Sequence, residues 1–157
     1  MVETGAMVAN ANSYVSLANC NTYLTSLGYA ELTSETYLIR ACEYVDSFRM
    51  KYKGYRYTST QSLVFPRSEL TIDGFAVAVD TIPNILINAQ CMAAHFLDTG
   101  VDLFNNSSGQ EVLSESVDVI SVTYAQSGVT NAQPQIGIIQ SFLRPMLRST
   151  FNVAVNR

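Results

Sequence analysis

Few residues in this chain have types and spacing that could support metal or nucleophile chemistry. The one histidine, His95, follows Cys91 by one helical turn, a spacing at which a thiol and an imidazole could share a metal ion or form a nucleophile–base pair. A zinc site needs further ligands, and no CxxC or HxxxH motif supplies them. Both residues lie beside the apolar side of a predicted helix, where a free cysteine behaves as a small hydrophobic residue. We therefore predict no metal, no cofactor and no enzyme activity.

Two groups of carboxylates are candidates for acid–base work. Glu43 and Asp46 are predicted on the polar face of a helix, and Glu111, Glu115 and Asp118 in a low-complexity connection. Neither place offers an apolar pocket that would separate the carboxyl pKa values, so we expect both groups to be solvated. The phosphate-binding patterns GxxxxGK[ST] and GxGxxG and the nucleophile pattern GxSxG are absent.

The chain has one basic cluster in which cations alternate with tyrosines. Such a pattern can follow phosphates and stack bases, which makes the cluster a candidate contact for single-stranded DNA or for a partner protein. A helix C-terminus also attracts cations through its dipole alone, so a structural role stays open. The members of the cluster are Arg49, Lys51, Tyr52, Lys53, Tyr55, Arg56 and Tyr57, with Arg67 further along.

Composition limits the class of protein. A chain of 157 residues with 48% hydrophobic residues fits one domain with its own core. Only 14% of the residues are charged, well below the usual quarter, which suggests a subunit that hides surface in an assembly. The net charge of −4 disfavours sequence-blind DNA binding through an overall basic field. We expect no signal peptide and no membrane span, and three reduced core cysteines: Cys20, Cys42 and Cys91.

Hydrophobic periodicity predicts a mainly α fold, a small bundle of about four helices with a short β-hairpin. The dipeptide Asp73-Gly74 between two β-prone segments predicts the hairpin. Pro145 is expected to bend or end the last helix. The helices are predicted at about residues 17–27, 33–52, 81–99 and 135–147.

Three further segments are predicted to be extended. They are an N-terminal arm at residues 1–15, a loop or arm at 100–135 with a strand-like segment near 116–124, and a tail at 149–157. The tail alternates apolar and other residues with period two, which suits addition to a sheet edge of another protein. A disordered end is the alternative. The apolar positions of the tail are Phe151, Val153 and Val155.

Several short motifs occur in an order that is shared with one protein family. Together they resemble the phage proteins labelled DnaT-like single-stranded-DNA-binding proteins, whose members resemble the head–tail adaptors (head-completion or connector proteins) of long-tailed phages. The resemblance covers about residues 10–147. The motifs are NANSYVS at 10–16, ACEYVD at 41–46, YKGYR at 52–56, QSLVFPR at 61–67, DG at 73–74, IP at 82–83 and FLRPML at 142–147.

The resemblance implies a small helical bundle with a short hairpin and a long extended arm. It also implies a dodecameric ring that docks beneath the portal protein, meets tail terminator or stopper proteins and lets DNA pass without sequence-specific binding. We therefore expect a structural protein of the virion neck, assembled in the host cytoplasm. Its contacts with neighbouring subunits and the portal are expected at residues 1–15, 100–135 and 149–157. The alternative is a replication accessory that binds single-stranded DNA through Arg49, Lys51, Lys53 and Arg56.

Overall fold

Four helices form the body of the protein, which confirms the predicted mainly α fold. The computed structural model describes residues 1–104, 114–117, 120–123 and 137–148. The predicted tail, with Phe151, Val153 and Val155, lies outside these ranges, as does most of the predicted 100–135 arm. The helices are α1 (Leu17–Ser26), α2 (Glu35–Asp46), α3 (Asn84–Asp98) and α4 (Gly137–Leu143), and α4 continues into a 3-10 turn, Arg144–Met146.

A serine cap, a glycine and two prolines mark ends of α1, α3 and α4, as local chemistry predicts. The Ser16 hydroxyl accepts the Asn19 N–H at 3.2 Å and caps α1, and Gly28 follows that helix with φ +82°. Pro83 precedes the first residue of α3. The α-helical geometry of α4 ends directly before Arg144, and Pro145 lies in the 3-10 turn, as predicted.

The second helix is shorter than predicted, ending at Asp46 rather than near residue 52. The chain continues through tighter turns, in which the N–H groups of Phe48 and Arg49 donate to carbonyls three residues earlier. These turns bring Tyr52 into the core, where its hydroxyl donates to the Val45 carbonyl at 2.8 Å. Tertiary packing of one tyrosine therefore overrides the helical periodicity of the sequence.

Helix α3 lies at the centre of the core and packs against α1, α2 and α4. Its inward positions combine large and small side chains, so neighbouring helices approach closely. The three cysteines are buried free thiols, as predicted, and burial raises the pKa of the Cys42 thiol far above its ordinary value. The fully buried residues of α3 include Leu86, Ala89, Gln90, Cys91, Met92, Ala93 and Ala94.

Three two-stranded antiparallel pairs occur in the described ranges. Strands β1 (Tyr55–Arg56) and β2 (Arg67–Ser68) pair first, followed by β3 (Thr71–Ile72) with β4 (Phe75–Ala76). Asp73 and Gly74 join β3 to β4 with φ of +51° and +87°, the paired positive values of a tight hairpin turn. This confirms the predicted hairpin. The strand-like segment predicted near 116–124 is part of a second hairpin, β5 (Ser114–Val117) and β6 (Ile120–Thr123).

The N-terminal residues form a closed loop rather than the predicted extended arm. The buried Glu3 carboxylate accepts backbone N–H groups from Gly5, Met7 and Val8 at 2.8 to 2.9 Å. A bridge between Val2 and residue 13 closes the loop. The Glu3 carboxylate, by accepting several backbone N–H groups, thus closes a segment whose polar composition predicted an open arm.

One buried amide fastens this loop to the helices. The Gln90 side chain accepts the Tyr14 N–H at 3.0 Å and donates to the Ser13 hydroxyl at 2.8 Å and the Leu38 carbonyl at 2.9 Å.

Among the described helices, none has the length and apolar character needed to cross a bilayer.

Candidate functional site

Arg67, which the sequence placed in the basic cluster, is mainly a structural residue. It is 5% exposed, and its Nε and Nη2 donate to the carbonyls of Lys53 and Gly54 at 2.8 and 2.7 Å. Its guanidinium lies 5.9 Å from the ring centre of Tyr52. Burial and the neighbouring Arg148 lower the pKa of Arg67. The side chain therefore holds the loop before β1 against the core.

The two lysines of the predicted cluster make different contacts. Lys53 donates from Nζ to the Pro145 carbonyl and from its backbone N–H to the Met146 carbonyl, both at 2.8 Å. It thus satisfies carbonyls at the end of the 3-10 turn. Lys51 is exposed, with Nζ 5.5 Å from the ring centre of Phe48. The predicted cluster is accordingly not one continuous basic strip.

Three of the arginines meet a fourth in a cleft of about 340 Å³. Arg148 was not part of the predicted basic cluster, because it lies about 80 residues along the chain from Arg67, the nearest arginine of that cluster. Its N–H donates to the Lys51 carbonyl at 2.7 Å, and its Nε to the Tyr52 carbonyl at 3.0 Å. These bonds bring the end of the described chain beside the loop before β1. We call this the arginine cleft; its lining residues are Arg49, Met50, Gly54, Tyr55, Arg56, Arg67 and Arg148.

Gly54 lets two backbone segments approach closely at the arginine cleft. Its φ is +67°, and a Cβ there would lie 2.2 Å from the Ser68 carbonyl oxygen. Its own carbonyl accepts from Arg67 Nη2 at 2.7 Å and from Arg148 Nη2 at 3.5 Å. Only glycine fits this close approach.

Asp46 is not on a solvated helix face, so that prediction is wrong. Its carboxylate accepts the Tyr14 hydroxyl at 2.5 Å and the Val64 N–H at 3.0 Å. Burial raises the pKa of this carboxyl from 3.8 to about 6, while the two hydrogen bonds lower it. The chain around Val64 folds back over α2, a long-range contact that helical periodicity does not reveal. Glu43 stays exposed, as predicted.

A second cleft lies beside the arginine cleft and has mixed charge. Glu43 and Asp46 line it together with Arg49 and Arg56. Arg56 donates from Nη2 to the Gln61 carbonyl, and its buried Nε has no hydrogen-bond partner among the described atoms. Arg49 and Arg56 therefore stand between a carboxylate-bearing surface and the arginine cleft. The side chains of Glu111, Glu115 and Asp118 lie outside the described residues.

Cys91 and His95 have separate surroundings. The buried Cys91 thiol lies against the Cys20 thiol, whereas the His95 ring packs on Tyr29 with 4.5 Å between ring centres. Within the described ranges, no three His, Cys, Asp or Glu side chains come together in a way that could hold a metal ion.

Comparison with known proteins gives one match, at the level of a family. No curated protein sequence and no solved structure matches the chain. A family model with the description "Putative DnaT-like ssDNA binding protein" matches residues 1–157, its whole length. The chain belongs to this DnaT-like family.

Proposed function

We propose that this protein is a head–tail adaptor of a long-tailed phage. In this role it is a non-enzymatic subunit of the virion neck, assembled in the host cytoplasm. It forms a ring, dodecameric by the family resemblance, between the portal protein and the tail terminator or stopper proteins, and it continues the DNA channel. The ordered motifs from residues 10 to 147 support this finer assignment within the DnaT-like family.

The β5–β6 hairpin is the observation that carries the proposal. Its two strands pair with each other and with no other described strand. An isolated two-stranded hairpin is marginally stable in water, and both of its edges carry backbone groups that can pair with another chain. The hairpin falls between α3 and α4 in the sequence. A neighbouring subunit in a ring would supply the missing partner, and heterologous contacts of this kind close into rings.

Exposed apolar side chains on a surface of low charge support the same assignment. Phe75 at the tip of the β3–β4 hairpin is 78% exposed, and Met50 is 79% exposed. Such residues mark contact surfaces when they are not scattered singly. Leu27 and Tyr29, two residues apart just after α1, form an exposed apolar pair.

The first test is quantitative mass spectrometry of purified particles, with the portal subunit as the internal standard. The adaptor proposal predicts that this chain is present at parity with the portal. Expression in infected cells together with absence from particles would refute it.

A backbone variant tests the hairpin itself. Val117 pairs with Ile120 across residues 118–119, and Ser116 pairs with Ser121. Because hydrogen-bonded and non-hydrogen-bonded pairs alternate, we infer that the Ser121 N–H points away from β5 and is available to a neighbour. Ser121→Pro removes this donor, whereas Ser121→Ala keeps it. We expect several-fold less of the proline variant than of the alanine variant in particles; equal incorporation would rule out this edge as a subunit contact.

The C-terminal tail is the proposed portal contact, with Phe151, Val153 and Val155 as its apolar side. A chain that ends at Arg148 keeps every residue of the described core. We expect this truncated protein to fold normally and to bind the portal more weakly. Unchanged binding to purified portal rings would refute the assignment of the tail.

The second candidate is a replication accessory that binds single-stranded DNA. The arginine cleft and the description of the family favour it. In this reading Arg49 and Lys51 would contact the DNA, because both are exposed. Lys53 instead donates to the Pro145 carbonyl in the 3-10 turn. A charge reversal at Lys51 and Lys53 should abolish DNA binding if the predicted cluster carries it. Equal binding of wild type and this variant at low salt would exclude that interface.

A further inference from the structure

We propose that the arginine cleft is a binding site for a phosphate group. The phosphate could belong to a DNA strand or be free in solution, and the experiment below separates these sources. This inference stands on the cleft alone and does not depend on assembly of a ring.

The first argument is charge. Four guanidinium groups line the cleft, and no aspartate or glutamate is among its lining residues. Burial lowers the pKa of Arg67 most, and the positive charges of Arg148 and Arg56 lower it further. Arg49 and Arg56 also line the neighbouring cleft with Glu43 and Asp46. Within the arginine cleft the guanidinium groups repel one another, and an anion there would relieve that repulsion.

The second argument is the way in which the guanidinium groups are held. Arg67 and Arg148 donate to backbone carbonyls of the loop before β1, at residues 52–54. These acceptors orient the groups and leave their positive charge in place. In both side chains Nη1 makes no hydrogen bond to the described residues. The fixed forks of arginine match the oxygens of a phosphate, and charge-assisted bonds of this type are strong.

The third argument concerns the edge of the cleft. Tyr55 lines it and is 61% exposed. An exposed aromatic ring beside a phosphate site offers a surface for a base, which a carboxylate ligand from a protein would not use. Several arginines also suit the multiple oxygens of a phosphate better than a single carboxylate. The arrangement therefore favours phosphate over an acidic peptide.

Arg49 is the residue to change, because it lines the cleft and makes no side-chain hydrogen bond to the described residues. Arg49→Gln should fold like wild type, which circular dichroism checks. Lys51→Gln is the matched control. It removes one exposed positive charge two residues away, and Lys51 does not line the cleft.

The first arm uses inorganic phosphate as the probe. Thermal unfolding is measured in sodium phosphate and in sodium chloride at equal ionic strength. We expect phosphate to raise the Tm of wild type and of Lys51→Gln, because a ligand that binds only the folded state stabilises it. The gain should be lost or strongly reduced in Arg49→Gln.

The second arm uses a fluorescently labelled single-stranded thymidine oligonucleotide and follows its anisotropy at several salt concentrations. If DNA supplies the phosphate, Arg49→Gln weakens binding about tenfold and reduces the slope of log K against log salt by about 0.7. Phosphate dependence without oligonucleotide binding would assign the cleft to free phosphate.

Equal effects of Arg49→Gln and Lys51→Gln in both arms would overturn the proposal, because they would reflect a general field and not a site. Absence of any phosphate-specific gain together with absence of oligonucleotide binding would overturn it too. Neither result bears on the presence of the chain in particles, so the adaptor assignment fails or survives separately.

Discussion

Protonation of Asp46 should stabilise the protein as the pH falls from about 7.5 to about 5. Burial raises the pKa of this carboxyl from 3.8 to about 6 in the folded chain. Between these two values the folded state binds more protons than the unfolded state, so the free energy of unfolding rises as the pH falls. The gain begins near the folded pKa of about 6 and is complete below about 4.

The magnitude follows from the difference between the two pKa values. At about pH 5, one pH unit below the folded pKa, protonation of Asp46 should add about 1.4 kcal/mol to the free energy of unfolding. For a domain of this size that corresponds to a rise in Tm of about 4 °C. Other groups titrate in the same range, so the quantity to compare is the difference between wild type and Asp46→Asn.

The assay is urea unfolding, followed by circular dichroism at both pH values. Wild type should gain about 1.4 kcal/mol more than Asp46→Asn on acidification. Glu43→Gln is the control, since it removes an exposed carboxylate from the same helix, and it should behave like wild type. Tyr14→Phe removes a hydrogen bond that lowers the Asp46 pKa, so its gain should begin at a higher pH. Identical pH dependence of wild type and Asp46→Asn would show that the carboxyl titrates as an exposed group and would refute the reasoning.

Four further substitutions, in three comparisons, test the packing described above. Glu3→Ala should lower the free energy of unfolding by about 2 to 3 kcal/mol, because three backbone donors lose their acceptor; an unchanged urea midpoint would contradict the closed loop. Gly54→Ala should lower the free energy of unfolding by about 3 kcal/mol or more, and Gly28→Ala by about 1 kcal/mol. The difference arises because, of the two, only a Cβ at residue 54 meets a backbone carbonyl. Equal losses of Tm would argue against the close approach. Gln90→Leu should lower the free energy of unfolding by about 2 kcal/mol, because the groups that the amide bonds would lose their partners. Thermal unfolding measures the loss. A variant as stable as wild type would mean that water replaces the amide.

The candidate site shows where sequence reasoning fell short. The spacing of Arg49 and Arg56 indicated a basic surface, and both line the arginine cleft. Lys53 matched the same pattern yet bonds to the Pro145 carbonyl. A pattern of charges reports which cations are close along the chain, but their availability depends on which carbonyls lie within reach after folding.

The sequence by itself determined the local elements, because caps, turns and apolar periodicity act over a few residues. The Ser16 cap, the Asp73-Gly74 turn and the buried face of α3 needed no knowledge of distant contacts. Only the tertiary structure decided that Asp46 is partly buried and that Arg148 joins the arginine cleft. Both outcomes depend on segments far apart in the chain, and the desolvation and charge interactions that govern them exist only after those segments meet.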